Sequence, residues 1–138
     1  MKILILGAGQ VGSTLAKYLC SDDDNDITIV DQVEDKLTPL QRHLDIKTVV
    51  GYGAYPSVLE KAGIKTMDMV IAVMGSDERN MVACRMAHTL YHVDKKIARI
   101  RTTEYLLRPE IFTNEALPID FLITPEILIT DYIKGIVE

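Results

Sequence analysis

Residues 2–19 read KILILGAGQVGSTLAKYL, and residues 26–31 read DITIVD. An aliphatic run of strand length leads into Gly7-Ala8-Gly9-Gln10-Val11-Gly12, and helical periodicity follows at once, with Val11, Leu15 and Leu19 on one face. A G-x-G-x-x-G spacing alone is a weak signal; between a strand and a helix it predicts a phosphate loop of the dinucleotide-binding kind. Each glycine has its own task there. Gly7 permits the tight turn, Gly9 lets the backbone approach a pyrophosphate, and Gly12 lets the helix pack closely on the strand. The phosphate then sits on free N–H groups at a helix N-terminus, where the dipole favours negative charge. Asp31 stands 19 residues after Gly12, at the end of the second strand. From there a carboxylate accepts hydrogen bonds from both ribose hydroxyls and repels a 2′-phosphate, which favours NAD over NADP.

The same alternation continues outward from that stretch. Lys2–Leu6, Asp26–Val30, Ile46–Val50, Met69–Val73, Lys96–Arg101 and Phe121–Ile123 are short runs rich in Ile and Val. Helical segments lie between them, as where Val82, Met86 and Leu90 share a face. Strand followed by helix, repeated about six times, predicts an α/β fold of the Rossmann type, a doubly wound parallel sheet with helices on both faces. With no credible linker, residues 1–138 are expected to form a single domain. Pro39 would cost a helix from Val33 to His43 a hydrogen bond, whereas Thr38 as N-cap with Pro39 in the first position would start a shorter one. The second helix is therefore expected to be broken or shortened.

Composition limits the function classes. A chain of 138 residues with 48% hydrophobic content can bury a real core. Its net charge is −5 and its 15 Lys and Arg are scattered, so the footprint of a nucleic-acid binder is missing. Cys20 and Cys84 show no CxxC or metal spacing and read as small core residues in a reducing compartment. The stretch before Gly7 is too short for a signal-peptide core, and no apolar run approaches about 18 residues. A cytoplasmic location is expected, with any membrane role supplied by a partner.

In a parallel sheet every strand's C-terminal end points to one crevice, so the loops there supply the remaining candidates. Gln32 follows Asp31. Gly51, Tyr52 and Gly53 follow the third strand, as an adenine pocket or, for Tyr52, an exposed loop aromatic. Met74 and Gly75 follow the fourth, ahead of Ser76, Asp77 and Glu78. Those three suit an N-cap and an acidic first turn, and also stand at the crevice mouth. Arg99 and Arg101 alternate on the face of Ile97 near the end of the fifth strand, where they suit phosphate or a subunit salt bridge. Two enzyme-like patterns carry less. Tyr91 and Lys95 have YxxxK spacing but fall at a helix end, and His88 and His92, at i and i+4, lack a third ligand. No metal site and no catalytic residue is expected.

The segments GAGQVGSTLAKYL, IVDQVEDKLTPLQ, VVGYGA, VIAVMGSDERNMVAC, KIARIRTTEYL and DFLITPEILI, in this order, resemble the TrkA N-terminal domains within the broader RCK/KTN family of channel-gating domains. The resemblance implies a Rossmann domain that binds NAD(H) and adenine nucleotides; because Asp31 and Gly7–Gly12 suit the adenosine and phosphate of either, ATP or ADP is expected to compete with NAD(H) for the site. It also implies a homo-oligomer, a dimer or ring, that passes ligand-driven changes to a membrane potassium-translocating subunit at the inner face of the cell membrane. By position, Gly7, Gly9, Gln10, Val11 and Gly12 match the family's phosphate loop, Asp31 its ribose acid and Arg99 its basic strand-end residue. Full-length relatives resemble two such units, each with a second ligand-binding module, so this chain looks like one unit without that module. The last segment, 124–138, is expected to be a contact helix that crosses to a neighbour. Thr124 would cap it, Pro125 would open it, and its apolar residues from Ile127 to Val137 are too many for one buried stripe. The overall expectation is a nucleotide sensor and not an enzyme. The alternatives are a cofactor-binding fragment of an NAD-dependent oxidoreductase and an assembly module with a vestigial site.

Overall fold

In the first strand, β1 (Lys2–Leu6), Ile3 and Ile5 face one side and Leu4 and Leu6 the other, all four fully buried. Apolar residues on both faces require cover on both faces, as a parallel sheet crossed by helices provides. The computed structural model, which describes residues 1–124 and 129–137, has that architecture. Its other strands are β2 (Asp26–Asp31), β3 (Lys47–Val50), β4 (Met69–Ala72), β5 (Lys95–Arg99) and β6 (Phe121–Ile123). They form one sheet in the order β3-β2-β1-β4-β5-β6, and every neighbouring pair is parallel. Helices α1 (Gln10–Cys20), α2 (Glu34–His43) and α6 (Ile129–Val137) cover one face through Leu15, Leu19, Leu37, Leu40 and Ile133. On the other face α3 (Pro56–Lys61) and α4 (Asp77–Thr89) pack through Leu59, Ala83, Cys84 and Ala87, ahead of the short α5 (Thr103–Leu106). Each fully buried Leu or Ile contributes roughly 1.5–3 kcal/mol. The doubly wound Rossmann-type fold is as expected. The chain runs outward from β1 to β3 and then returns to place β4 on the other side of β1, which opens a crevice at the C-terminal strand ends.

Several local expectations are corrected. Helix α2 runs unbroken from Glu34 to His43 with Pro39 inside it. Pro39 and Asp35, whose carbonyl the proline cannot bond, both lie on the exposed side, while Leu37 and Leu40 anchor the buried one. Thr38 starts no new helix; its hydroxyl donates to the Glu34 carbonyl at 3.1 Å. On α4 the predicted stripe splits: Val82 at 47% and Leu90 at 50% are exposed, while Met86 is half-buried against the core that Met81, Ala83, Cys84 and Ala87 enter. Strand β5 ends at Arg99, two residues early. Helix α6 is described from Ile129 onward; the expected opening of the helix at Pro125, after a Thr124 cap, and the expected roles of Ile127 and Leu128 lie outside the described residues. Among the described residues no helix is long and apolar enough to cross a membrane.

Candidate functional site

The loop after β1 sorts its glycines by what surrounds them. Gly7 has φ +110°, a left-handed conformation natural only to glycine, and a Cβ there would stand 2.7 Å from the Val73 carbonyl oxygen. A Cβ on Gly12 would lie 1.8 Å from the Gly7 carbonyl oxygen. The fold itself requires both. Gly9 differs: its φ is an ordinary −73°, it is exposed, and a Cβ would meet nothing within 4 Å. Nothing in the protein demands a glycine at that position. Beside it α1 starts with no side-chain cap and no acidic residue in its first turn. That leaves first-turn N–H groups and the positive end of the dipole facing outward.

Asp31 is half-buried and held from two sides. One carboxylate oxygen accepts the Ala8 N–H and the other the Val33 N–H, each at 2.8 Å. Each oxygen retains a further acceptor position. Together with the glycine loop, Asp31 walls a cleft of about 380 Å³. Of the predicted residues, Gly7, Gly9, Asp31, Gln32, Gly51, Gly53, Met74, Gly75 and Arg99 line it; Val30, Val33, Lys36, Val73 and Arg79 line it as well. Three cations, Lys36, Arg79 and Arg99, thus meet one carboxylate. Arg99 is half-buried; desolvation and then the neighbouring Arg101 charge push its pKa below the ordinary value, with Asp77 opposing. It stays protonated at neutral pH all the same. An uncapped helix start, a carboxylate with spare acceptor positions and three cations are together chemically suited to a phosphorylated nucleoside.

Residues 3–125 match the TrkA-N domain family. The chain belongs to the TrkA-N domain family. It is 54% identical over 138 residues to the Trk system potassium uptake protein TrkA of Halomonas elongata, covering 100% of this chain and 30% of that protein. It is 48% identical over 139 residues to the protein of the same name from Vibrio alginolyticus, with the same coverage. The chain therefore spans about 30% of the length of the curated relatives it matches. Among solved structures, the TrkA-N domain of the Escherichia coli inner membrane protein ybaL has a TM-score of 0.77 at 17% identity, covering 99% of this chain and 96% of that one. The GsuK channel bound to NAD gives 0.70 at 22% identity over 88% of this chain and 21% of that one. GsuK bound to ADP gives 0.70 at 22% over 89% and 31%. At these identities the structural likeness concerns the fold.

Other predicted residues of this TrkA-N domain surround the cleft without lining it. Gln10, Val11 and Gly12 form the first turn of α1. Tyr52 is half-buried, its ring centroid 4.5 Å from that of Tyr55 and 5.1 Å from the Arg79 guanidinium carbon. It is a shelf for Arg79 more than a free loop aromatic. Asp77 is buried and accepts the Arg101 N–H at 3.0 and 3.1 Å and the Thr102 N–H at 2.8 Å. Burial pushes its carboxyl up, but hydrogen bonds from Thr102 and the Arg101 backbone, with the Arg101 charge, outweigh this and leave it below its ordinary value. Arg101 lies beyond the end of β5 and does not line the cleft as Arg99 does, though its charge is near enough to act on Arg99; its guanidinium donates to the Gly75 carbonyl at 2.9 Å. Glu78 is exposed, and its charge pushes the Tyr105 phenol up.

Sequence reasoning missed Lys36, Arg79 and Asn80. Lys36 lies in the first turn of α2, within reach of the loop that nominated Gln32. Arg79 and Asn80 belong to the quoted VMGSDERN, and an asparagine inside a helix is itself a signal, because its amide competes for backbone groups. The enzyme-like patterns dissolve. The Tyr91 hydroxyl donates to the Glu60 carboxylate at 3.0 Å, and Lys95 starts β5 at the sheet edge opposite the cleft. His92 lies beyond α4 with φ +53°, so it does not share a helix face with His88. Among the described residues no three His, Cys, Asp or Glu side chains gather as a metal site would. Cys84 is a core residue whose thiol burial pushes up to about 12.

Proposed function

We propose that this TrkA-N domain is a nucleotide-sensing regulatory module of a Trk potassium uptake system. It binds NAD(H) in the cleft, and ATP or ADP compete for the same place. Gly9 carries this reading: a glycine that the fold does not need stands exposed at the uncapped start of α1, beside Asp31. A phosphate approaching the backbone is the physical reason for a glycine there. The TrkA names of the relatives and the NAD and ADP bound by GsuK support it.

In this reading Gly7–Gly12 hold the phosphates, Asp31 the ribose, and Arg99, Arg79 and Lys36 the outlying charge. Residues 1–138 act as one nucleotide-binding unit that assembles with copies of itself, residues 124–138 providing a contact helix. A ligand acts by stabilising one of two shapes, and a membrane potassium-translocating subunit on the cytoplasmic side responds to the shift. The domain reads its ligand and does not convert it. Calorimetric titration with NAD⁺, NADH, ATP and ADP tests the core of the proposal. Saturable binding of at least one, lost in Gly9→Ala, is the expected result; four flat titrations would refute it. Incubation with NADH and a panel of carbonyl compounds should give no turnover.

A further inference from the structure

Asn80 is completely buried. A buried amide with unmet donors is costly, so the bonds it makes show what it is for. Its Oδ1 accepts the Met74 N–H at 2.8 Å, and its Nδ2 donates to the Met74 carbonyl at 3.2 Å and to the Arg99 carbonyl at 2.9 Å. The partners fix the amide orientation, since a flipped side chain would set NH₂ against N–H and oxygen against two carbonyls. Met74 and Arg99 both line the cleft, and they leave from neighbouring strands. The β4–β5 register runs only to Ala72 and Ala98. Past that pair the sheet no longer ties the two strand ends together, and the Asn80 side chain takes over.

We propose that Asn80 is the positioning residue of the cleft. By bridging Met74 and Arg99 it extends the β4–β5 connection beyond the ladder, and so holds the Arg99 backbone, from which the guanidinium departs, and the Met74–Gly75 turn at one fixed separation. A ligand phosphate then meets a cation already in place, which removes the cost of ordering it on binding. The inference rests on the nucleotide reading above, because that reading gives Arg99 its role. Asp77 and Arg101 fasten the same two loops further out, through the Arg101 and Thr102 N–H groups and the Gly75 carbonyl. Among the described residues, Asn80 is the side chain of this joint that bonds Arg99, at its backbone carbonyl.

The test is a double-substitution cycle on the intact chain, read by calorimetry with ATP and by thermal unfolding of every variant. Arg99→Ala comes first and should weaken ATP about tenfold. Asn80→Ala should weaken ATP by a similar factor while remaining folded. In the Arg99→Ala background it should add less than about twofold, since the group it positions is gone. Asn80→Ser, whose shorter hydroxyl cannot span both strand ends, should lose as much affinity as Asn80→Ala. A residue that serves the fold alone would lower the unfolding temperature and leave the affinity of folded protein unchanged. Equal losses in both backgrounds, or none in either, would overturn the proposal. So would failure of both Asn80 variants to fold. An unsubstituted chain that binds no nucleotide fails differently, since it refutes the nucleotide reading before Asn80 is touched. ATP binding unaltered by Arg99→Ala would sink the Asn80 proposal while leaving nucleotide binding intact.

Discussion

Gly9 and Gly12 stand three residues apart in one motif and answer to different demands, so their substitution separates fold from function. A methyl group on Gly12 would fall 1.8 Å from the Gly7 carbonyl oxygen, a distance that only displacement of α1 from the loop can relieve. Gly12→Ala is expected to cost at least about 1–3 kcal/mol as an overpacked site. Gly9→Ala places its methyl in open space, so stability should change by less than about 0.5 kcal/mol. Its nucleotide affinity should nevertheless collapse, because the methyl stands where phosphate approaches the backbone. Thermal unfolding and calorimetry on the two variants check both halves. A Gly9→Ala chain that binds as well as the parent would remove the phosphate loop from the site. The motif made the three glycines and their division of labour legible in the sequence, and the surrounding atoms add that the fold needs glycine at Gly7 and Gly12 but leaves open space at Gly9.

At the scale of elements, the strands were legible because Ile and Val runs of strand length have few other uses, and they fall close to where they were expected. The helices were less so, since a helix face is chosen by fit as well as by hydrophobicity. Val82 and Leu90 are large and apolar yet exposed, whereas Ala83, Cys84 and Ala87 face the sheet because close approach favours small side chains. Pro39 misled for a related reason: tertiary anchoring by Leu37 and Leu40 outweighs the lost hydrogen bond. Pro39→Ala restores a donor on the exposed face and should stabilise the domain by about 1–3 kcal/mol, measured by denaturant unfolding. Unchanged or lowered stability would mean the proline is not a local defect. Asp77 shows the limit at a helix start. Ser76 caps α4 by accepting the Arg79 N–H at 3.3 Å, which frees the Asp77 carboxylate to hold the chain leaving β5. Because its folded pKa lies below the ordinary value near 3.8, protons bind the unfolded chain more tightly than the native one. Its stabilisation is present above that value and disappears as pH falls through the lower, folded one. Asp77→Asn should therefore unfold at lower denaturant than the parent near neutral pH, and the gap should narrow as pH falls below the ordinary carboxyl value of 3.8. A gap that persists in acid would show that packing, and not charge, is what Asp77 supplies.

For the whole molecule, the reversal of strand order between β1 and β4 concentrates the candidate ligand groups in one crevice, and this has a consequence for regulation. Helix α6 closes the opposite flank: Ile133 is fully buried, and Ile136 and Val137 pack against the cluster that α1 covers. Part of its apolar surface thus belongs to the domain, and any contact with a second copy must use the rest. The crevice has one α1 N-terminus and one Asp31, so under the proposed function it would seat one adenosine ribose and its first phosphates at a time. NADH and ATP share that half and differ beyond it: NADH continues into a second ribose and an uncharged ring, whereas ATP ends in concentrated negative charge. Arg99 and Arg79, on the β4–β5 side, are placed to feel the difference. A ligand moves a conformational equilibrium only by binding its two states unequally, so the proposed sensor would have to discriminate through those outlying contacts. The two nucleotides are therefore expected to exclude one another, NADH being displaced from the chain by ATP in a fluorescence titration. Arg99→Ala should weaken ATP more than NADH by about tenfold, roughly 1.4 kcal/mol, because only the polyphosphate loses a charge partner. Saturation of one chain by both ligands at once would show that they occupy separate sites. Equal losses for both in Arg99→Ala would show that Arg99 binds the half they share, and the basis for telling them apart would have to lie elsewhere than in that arginine.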